Sequence, residues 1–228
     1  MSLILSIETA ASLCSAALHE QGVLIGSRDL MAERSHSMIL APMIRDLFAD
    51  TGKAWKELSA VALSRGPGSY TGLRIGTSTA KGICYALDIP LIAINTLLSM
   101  CHLANLKNPG DFYLCPMLDA RRMEVYAMIA DAHLTVKKDT KAIIVDEGSF
   151  RSALDSCPIL FFGEGMPKTR HMLENHPNAY FLENIFPHAE SVGFLALEKY
   201  RNREFENLEA FEPFYLKEFI ATVPRKLI

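Results

Sequence analysis

The stretch Ser64-Arg65-Gly66-Pro67-Gly68-Ser69-Tyr70-Thr71-Gly72-Leu73-Arg74-Ile75-Gly76 holds four of the chain's 13 glycines. An apolar run, Val61-Ala62-Leu63, leads into it, and a helical pattern to about Leu87 leads out. A glycine-rich loop between a strand and a helix start can do two things. Its backbone N–H groups can cradle a phosphate. Its missing side chains can also let a ligand or a second chain come close. The spacing is not that of a P-loop, because no G-x-x-x-x-G-K-[ST] is present. Pro67 also breaks the order of a dinucleotide-binding fingerprint.

Two acids stand at expected strand ends, in Glu8-Thr9 and in Asp119-Ala120-Arg121. In a two-lobed nucleotide-binding fold such acids hold Mg²⁺ or orient water; otherwise they are solvated turn residues. Arg122, Glu124 and Tyr126 alternate and would share one face of a strand. The seven histidines include no H-x-x-x-H or H-E-x-x-H pair, so no metal site is expected. Gly68-Ser69-Tyr70 lacks the G-x-S-x-G form of a nucleophile elbow, so no catalytic residue is assigned. Lys217, Arg225 and Lys226 are too few cations for an RNA patch.

Hydrophobic periodicity supplies the elements that would position these residues. Leu3 to Ile7 reads as a buried strand, and Cys14–His19 and Val23–Asp29 as a hairpin around Gly22. A helix is expected from His36 to Asp50, capped by Ser35 and stopped at Gly52, with Pro42 kinking it or marking a late start. Leu40, Met43, Ile44 and Leu47 form its apolar face. In the helix after the loop, Gly72, Gly76 and Ala80 form one small-residue ridge; Ser78, Gly82 and Ala86 form a second. Such ridges permit close helix packing. A strand over Pro90–Ile94 and a helix over Thr96–Ala104 follow.

Asn108-Pro109-Gly110 marks the best linker, dividing residues 1–105 from 106–228. Beyond it the pattern restarts. Strands are expected at Tyr113–Leu118, Glu124–Ala130, Lys141–Val145, Ile159–Phe162 and Tyr180–Leu182. Helices are expected at Gly148–Ser156, Lys168–Asn175 and Ser191–Phe205, the last packing back on the first lobe. The order of elements, and the likeness of Leu5–Ala10 to Cys115–Ala120, point to an α/β protein of two ribonuclease-H-like lobes, each a mixed sheet flanked by helices.

The bulk numbers agree with a globular protein. Half of the 228 residues are apolar and the net charge is −3, which makes a poor lone binder of nucleic acid. Five cysteines without C-x-x-C read as reduced thiols of a cytosolic protein. No run approaches the length of a membrane span, and the first residues read as a strand and not as a signal peptide.

Several motifs together resemble the bacterial TsaB (YeaZ) family, the small paralogue of the tRNA threonylcarbamoyladenosine machinery in the glycoprotease-like group. They are Ile7-Glu8-Thr9-Ala10, the helix start Ser35-His36 with Pro42-Met43, Arg65 to Gly76 as R-G-P-G-S-[FY]-T-G-[LV]-R-I-G, Asp119 to Tyr126 as D-A-R-x-x-E-V-Y, and Pro213-Phe214-Tyr215-Leu216. The resemblance implies an actin/sugar kinase/Hsp70-type fold and a cytoplasmic, non-catalytic subunit. That subunit would activate a catalytic TsaD partner, recruit the TsaE ATPase and meet tRNA only through the complex. Together they would transfer threonylcarbamoyl from threonylcarbamoyl-AMP to adenosine in ANN-decoding tRNAs.

The partner-facing residues are expected to be His36, Leu40, Met43, Leu47, Gly72, Gly76 and Ala80, which would also join two copies when the chain is alone. A bulky residue at Gly76 would then wedge that interface apart. No cofactor is expected to be held firmly. The remaining place for ATP or ADP is a contact shared across the interface, through Arg65, Gly66, Gly68, Ser69, Thr71 and Arg74. Glu8 stands where the family usually has Asp, and this points to a degraded nucleotide site. The alternative is an active ATPase or kinase of the same fold.

Overall fold

The computed structural model describes residues 2–31 and 35–217; Arg225 and Lys226 lie outside them. The first sheet begins with β1 (Leu3–Glu8), β2 (Leu13–Glu20) and β3 (Val23–Met31), an antiparallel meander. Then β4 (Ala60–Gly66) and β5 (Leu91–Asn95) add in parallel, giving the order β3-β2-β1-β4-β5. Parallel addition needs crossovers, and two helices supply them: α1 (His36–Thr51) and α2 (Tyr70–Leu87). A third, α3 (Thr96–Lys107), runs through the expected lobe boundary.

The second sheet repeats this plan. β6 (Tyr113–Asp119), β7 (Glu124–Ala130) and β8 (Val136–Ile144) form the meander, and β9 (Ile159–Phe162) and β10 (Ala179–Leu182) add in parallel. Its order is β8-β7-β6-β9-β10. Here α4 (Arg151–Leu154) and α5 (Met166–Leu173) occupy the crossovers. Glu8 and Asp119 end the two equivalent strands. The duplicated mixed sheets with flanking helices are the expected two-lobed architecture of the actin/sugar kinase kind.

The core lies on both faces of the first sheet. Leu5, Ile7, Leu18, Val61 and Leu63 pack with Leu40, Ile44 and Leu47 of α1 on one face. On the other, Ile4, Ala62 and Ile92 meet Val192 and Ala196 of α6 (Ala189–Asn202). Full burial of a leucine or isoleucine contributes about 1.5–3 kcal/mol. α3 instead places Leu97, Met100 and Cys101 against Leu114, Leu118 and Phe162 of the second sheet. Each lobe is thus covered partly by a helix from the other half of the chain.

Four local expectations need correction. α1 runs unbroken through Pro42, which lies on its exposed side, so there is no late start. Strand β8 begins five residues earlier than expected. Its first half, Val136-Lys137-Lys138-Asp139-Thr140, is charged because it is an edge strand that takes its backbone bonds from β7 while facing water. α6 ends at Asn202, where Arg203 turns left-handed at φ 58°. Arg122 is not on a strand; it sits in the turn before β7.

Candidate functional site

The glycine-rich loop leaves the C-terminal end of β4, between β1 and β5, and enters α2, so the residues expected to meet a nucleotide lie along this loop and the first turns of the helix it feeds. Ser69 caps α2, its hydroxyl accepting from the Gly72 N–H at 3.3 Å. Thr71 and Arg74 are exposed on the first turns. Arg65 is half-buried, its guanidinium over the Phe214 ring at 5.4 Å.

The loop is occupied by the chain itself. The Ser69 N–H donates to the Ala10 carbonyl at 2.7 Å, and the Gly66 N–H donates to Thr96 Oγ1 at 3.1 Å. A side chain on Gly68 would start 2.4 Å from the Ala10 carbonyl oxygen, and one on Gly66 2.7 Å from that of Phe214. Phe214 in turn donates its N–H to the Arg65 carbonyl at 2.6 Å. These glycines therefore let three backbones cross, and two loop amides are spent on internal partners.

Glu8 is fully buried. Its register places it beside β4, where Ile7 pairs with Leu63, so its carboxylate meets Ser64. Ser64 Oγ donates to Oε2, and the Ala10 N–H donates to Oε1 at 2.6 Å. Burial pushes the Glu8 carboxyl up to about 7, against the opposing pull of the Ser64 and Ala10 hydrogen bonds. Neither reading from sequence fits: Glu8 is not a solvated turn acid, and its oxygens do not line an open cleft. Asp119, its counterpart, is exposed, accepts the Arg121 N–H at 2.7 Å and pairs with Lys168 at 2.5 Å.

The expected partner-facing residues face inward. His36, Leu40, Met43 and Leu47 are buried beneath α1. Gly72 and Gly76 lie on the turn after β1, where added side chains would start 2.0 Å from the Thr9 carbonyl oxygen and 2.4 Å from Thr9 Oγ1; Ala80 has no exposed surface. Apolar periodicity marks a buried face without saying what buries it, and here the chain's own sheet does. The second ridge is the outward one. Ser78, Gly82 and Ala86 line an open, mainly apolar groove with Trp55 and Ile83, next to Tyr85, which is 83% exposed.

The sequence did not reveal that Ser64 bonds the Glu8 carboxylate, that Lys217 pairs with Glu124, or that the segment from Pro213 to Leu216 packs between the lobes. Tyr215 lies against Tyr70, with ring centroids 4.8 Å apart. Lys217 pairs with Glu124 and sits 6.0 Å from the Tyr126 ring. The segment thus joins the glycine-rich loop of one lobe to the Asp119–Glu124 turn of the other. Only its likeness to a family motif signalled it.

Among the described residues, no three His, Cys, Asp or Glu side chains converge as metal ligands, and no helix is long and apolar enough to cross a membrane.

This geometry has known relatives. The family model described as TsaD, tRNA N6-adenosine threonylcarbamoyltransferase, matches residues 30–224. A tRNA threonylcarbamoyladenosine biosynthesis protein TsaB of Bacillus subtilis is 30% identical over 176 residues, covering 75% of each chain. The chain belongs to the TsaB (YeaZ) family. The TsaB protein of Escherichia coli is 37% identical over 123 residues, 54% of this chain and 52% of that protein. The matched stretch thus spans about half the length of the first curated relatives. A Pseudomonas aeruginosa crystal structure, described as similar to peptidase YEAZ, superposes with TM-score 0.82 at 26% identity, covering 95% of this chain and all of that one. The family resemblance drawn from Arg65 to Gly76 is borne out.

Proposed function

We propose that the chain is a non-catalytic subunit required for threonylcarbamoyl transfer to adenosine of ANN-decoding tRNAs. It acts as scaffold and activator of a catalytic TsaD partner and works with a TsaE ATPase. The TsaB and transferase likenesses support the pathway. The observation that carries the accessory role is Glu8. The acid that would serve a nucleotide's metal ion is sealed in the lobe, with both oxygens bonded to Ser64 and Ala10. Octahedral Mg²⁺ needs accessible oxygens, so this position carries no phosphoryl chemistry. Partner contact falls to the outward surface of α1 and α2, on the side of Gly82 and Tyr85. A nucleotide shared with the partner would reach Arg74 and Thr71, which are exposed, before the buried loop glycines.

Reconstitution tests this. Modification of an ANN-decoding tRNA by the other components should be lost when this chain is omitted and restored when it is added. Unchanged modification without it would contradict the proposal. The ATPase or kinase alternative predicts micromolar Mg-ATP binding with turnover by the chain alone, readable by titration calorimetry.

A further inference from the structure

The C-terminal segment and the two turns it joins carry an ordered run of cations and rings that the accessory role does not use. Arg74 lies over the Tyr70 ring at 5.5 Å and donates to its hydroxyl at 3.1 Å. Tyr70 packs on Tyr215, and Arg65 lies over Phe214 one residue before it. Two residues after Tyr215, Lys217 reaches the Ala120 carbonyl at 3.5 Å. That contact brings the run to Arg121 and Arg122.

These two arginines are unusual. Both are exposed, and both hold positive φ, 70° and 50°. Asn-Gly is the pair such a turn favours. Neither guanidinium has a hydrogen bond or ion pair among the described residues. The acids nearby are engaged elsewhere: Asp119 with Lys168, Glu124 with Lys217. Glu212 lies close enough to act on Tyr215. Among the described residues, Arg65, Arg74, Arg121 and Arg122 have no ion pair with an acid, in a chain whose net charge is −3; Arg74, Arg121 and Arg122 are exposed and Arg65 is half-buried.

We propose that this strip, from Arg74 across Tyr70 and Tyr215 to Arg121 and Arg122, binds the sugar–phosphate backbone of single-stranded RNA. Cations alone would suit an acidic protein surface equally well. Cations alternating with half-buried aromatic faces suit phosphates flanked by unstacked bases. The run also explains why a reading of Lys217, Arg225 and Lys226 found too little charge: the strip is assembled from both lobes and is not contiguous in sequence. The proposal rests on the tRNA-modifying role and departs from it in one respect, giving this chain its own RNA contact.

The test uses the full chain and two double variants. Arg121→Asn with Arg122→Gly removes both charges yet suits the turn, so lost binding does not report misfolding. Arg121→Lys with Arg122→Lys keeps the charges. Binding of a labelled oligouridylate and of an ANN-decoding tRNA transcript is measured by anisotropy across a salt series. For single strands each lost phosphate contact flattens the slope of log K against log salt by about 0.7. The Asn-Gly variant should therefore show a slope about 1.4 shallower and about 25-fold weaker binding at 0.1 M salt. The Lys pair should keep the wild-type slope.

Wild-type affinity and slope in the Asn-Gly variant would overturn the proposal. So would RNA-free loss of assembly with the transferase partner, which would make the strip a protein-binding surface. Need for the chain in tRNA modification is read in a separate assay, so either result can fail alone.

Discussion

Gly72→Ala will destabilise the chain by about 3 kcal/mol in urea unfolding, the upper end of what one extra methyl costs in a filled site. The new methyl would start 2.0 Å from the Thr9 carbonyl oxygen, a backbone atom that cannot rotate away. Nor can the turn retreat easily. Thr9 Oγ1 donates to the Gly72 carbonyl at 2.7 Å, and β1 just before it is paired on both sides. Gly82→Ala is the control on the same helix. It meets nothing within 4 Å and replaces a helical glycine, so it should stabilise by about 0.5–1 kcal/mol. The same reasoning relocates the effect of a bulky residue at Gly76: it would unseat α2 from its own sheet before it touched a partner. Wild-type stability in Gly72→Ala would mean that α2 does not cross the β1 turn this closely.

Glu8→Gln will change how stability depends on pH. The folded carboxyl titrates near 7, above the ordinary 4.5. Between those values the folded state holds a proton that the unfolded state has released. Stability of the wild type therefore falls as pH rises through this window and levels off above it. At 1.36 kcal/mol per pH unit the loss is about 3 kcal/mol. Glutamine has the same shape and can accept from the Ala10 N–H while donating to Ser64, so it removes the titration and keeps the bonds. The variant should match wild type near pH 4, below the window, and exceed it by about 3 kcal/mol at pH 8. Parallel pH profiles for the two proteins would show that Glu8 is not buried as described.

Much of this fold was legible because apolar alternation and turn chemistry act locally. The hairpin at Gly22, the strand Glu124–Ala130 and the end of α2 at Leu87 follow from period and punctuation alone. The duplicated topology was legible in the order of elements. What was not legible depended on pairing across the chain. Glu8 looks like a turn acid until β4 is laid beside β1 and Ser64 meets it. Leu40, Met43 and Leu47 look equally suited to a partner or a core until the first sheet covers them. Of the two small-residue ridges, only packing shows which one turns outward. Phe214, Tyr215 and Lys217 form no periodic pattern, and their role exists only where the two lobes meet.

The central claim is that this chain supports tRNA modification without phosphoryl chemistry at its strand-end acid. Reconstituted threonylcarbamoylation, run with wild type, with Glu8→Gln and without the chain, tests it most directly. The account predicts equal modification for wild type and Glu8→Gln, and none when the chain is omitted. Loss of modification with a folded Glu8→Gln protein would contradict it.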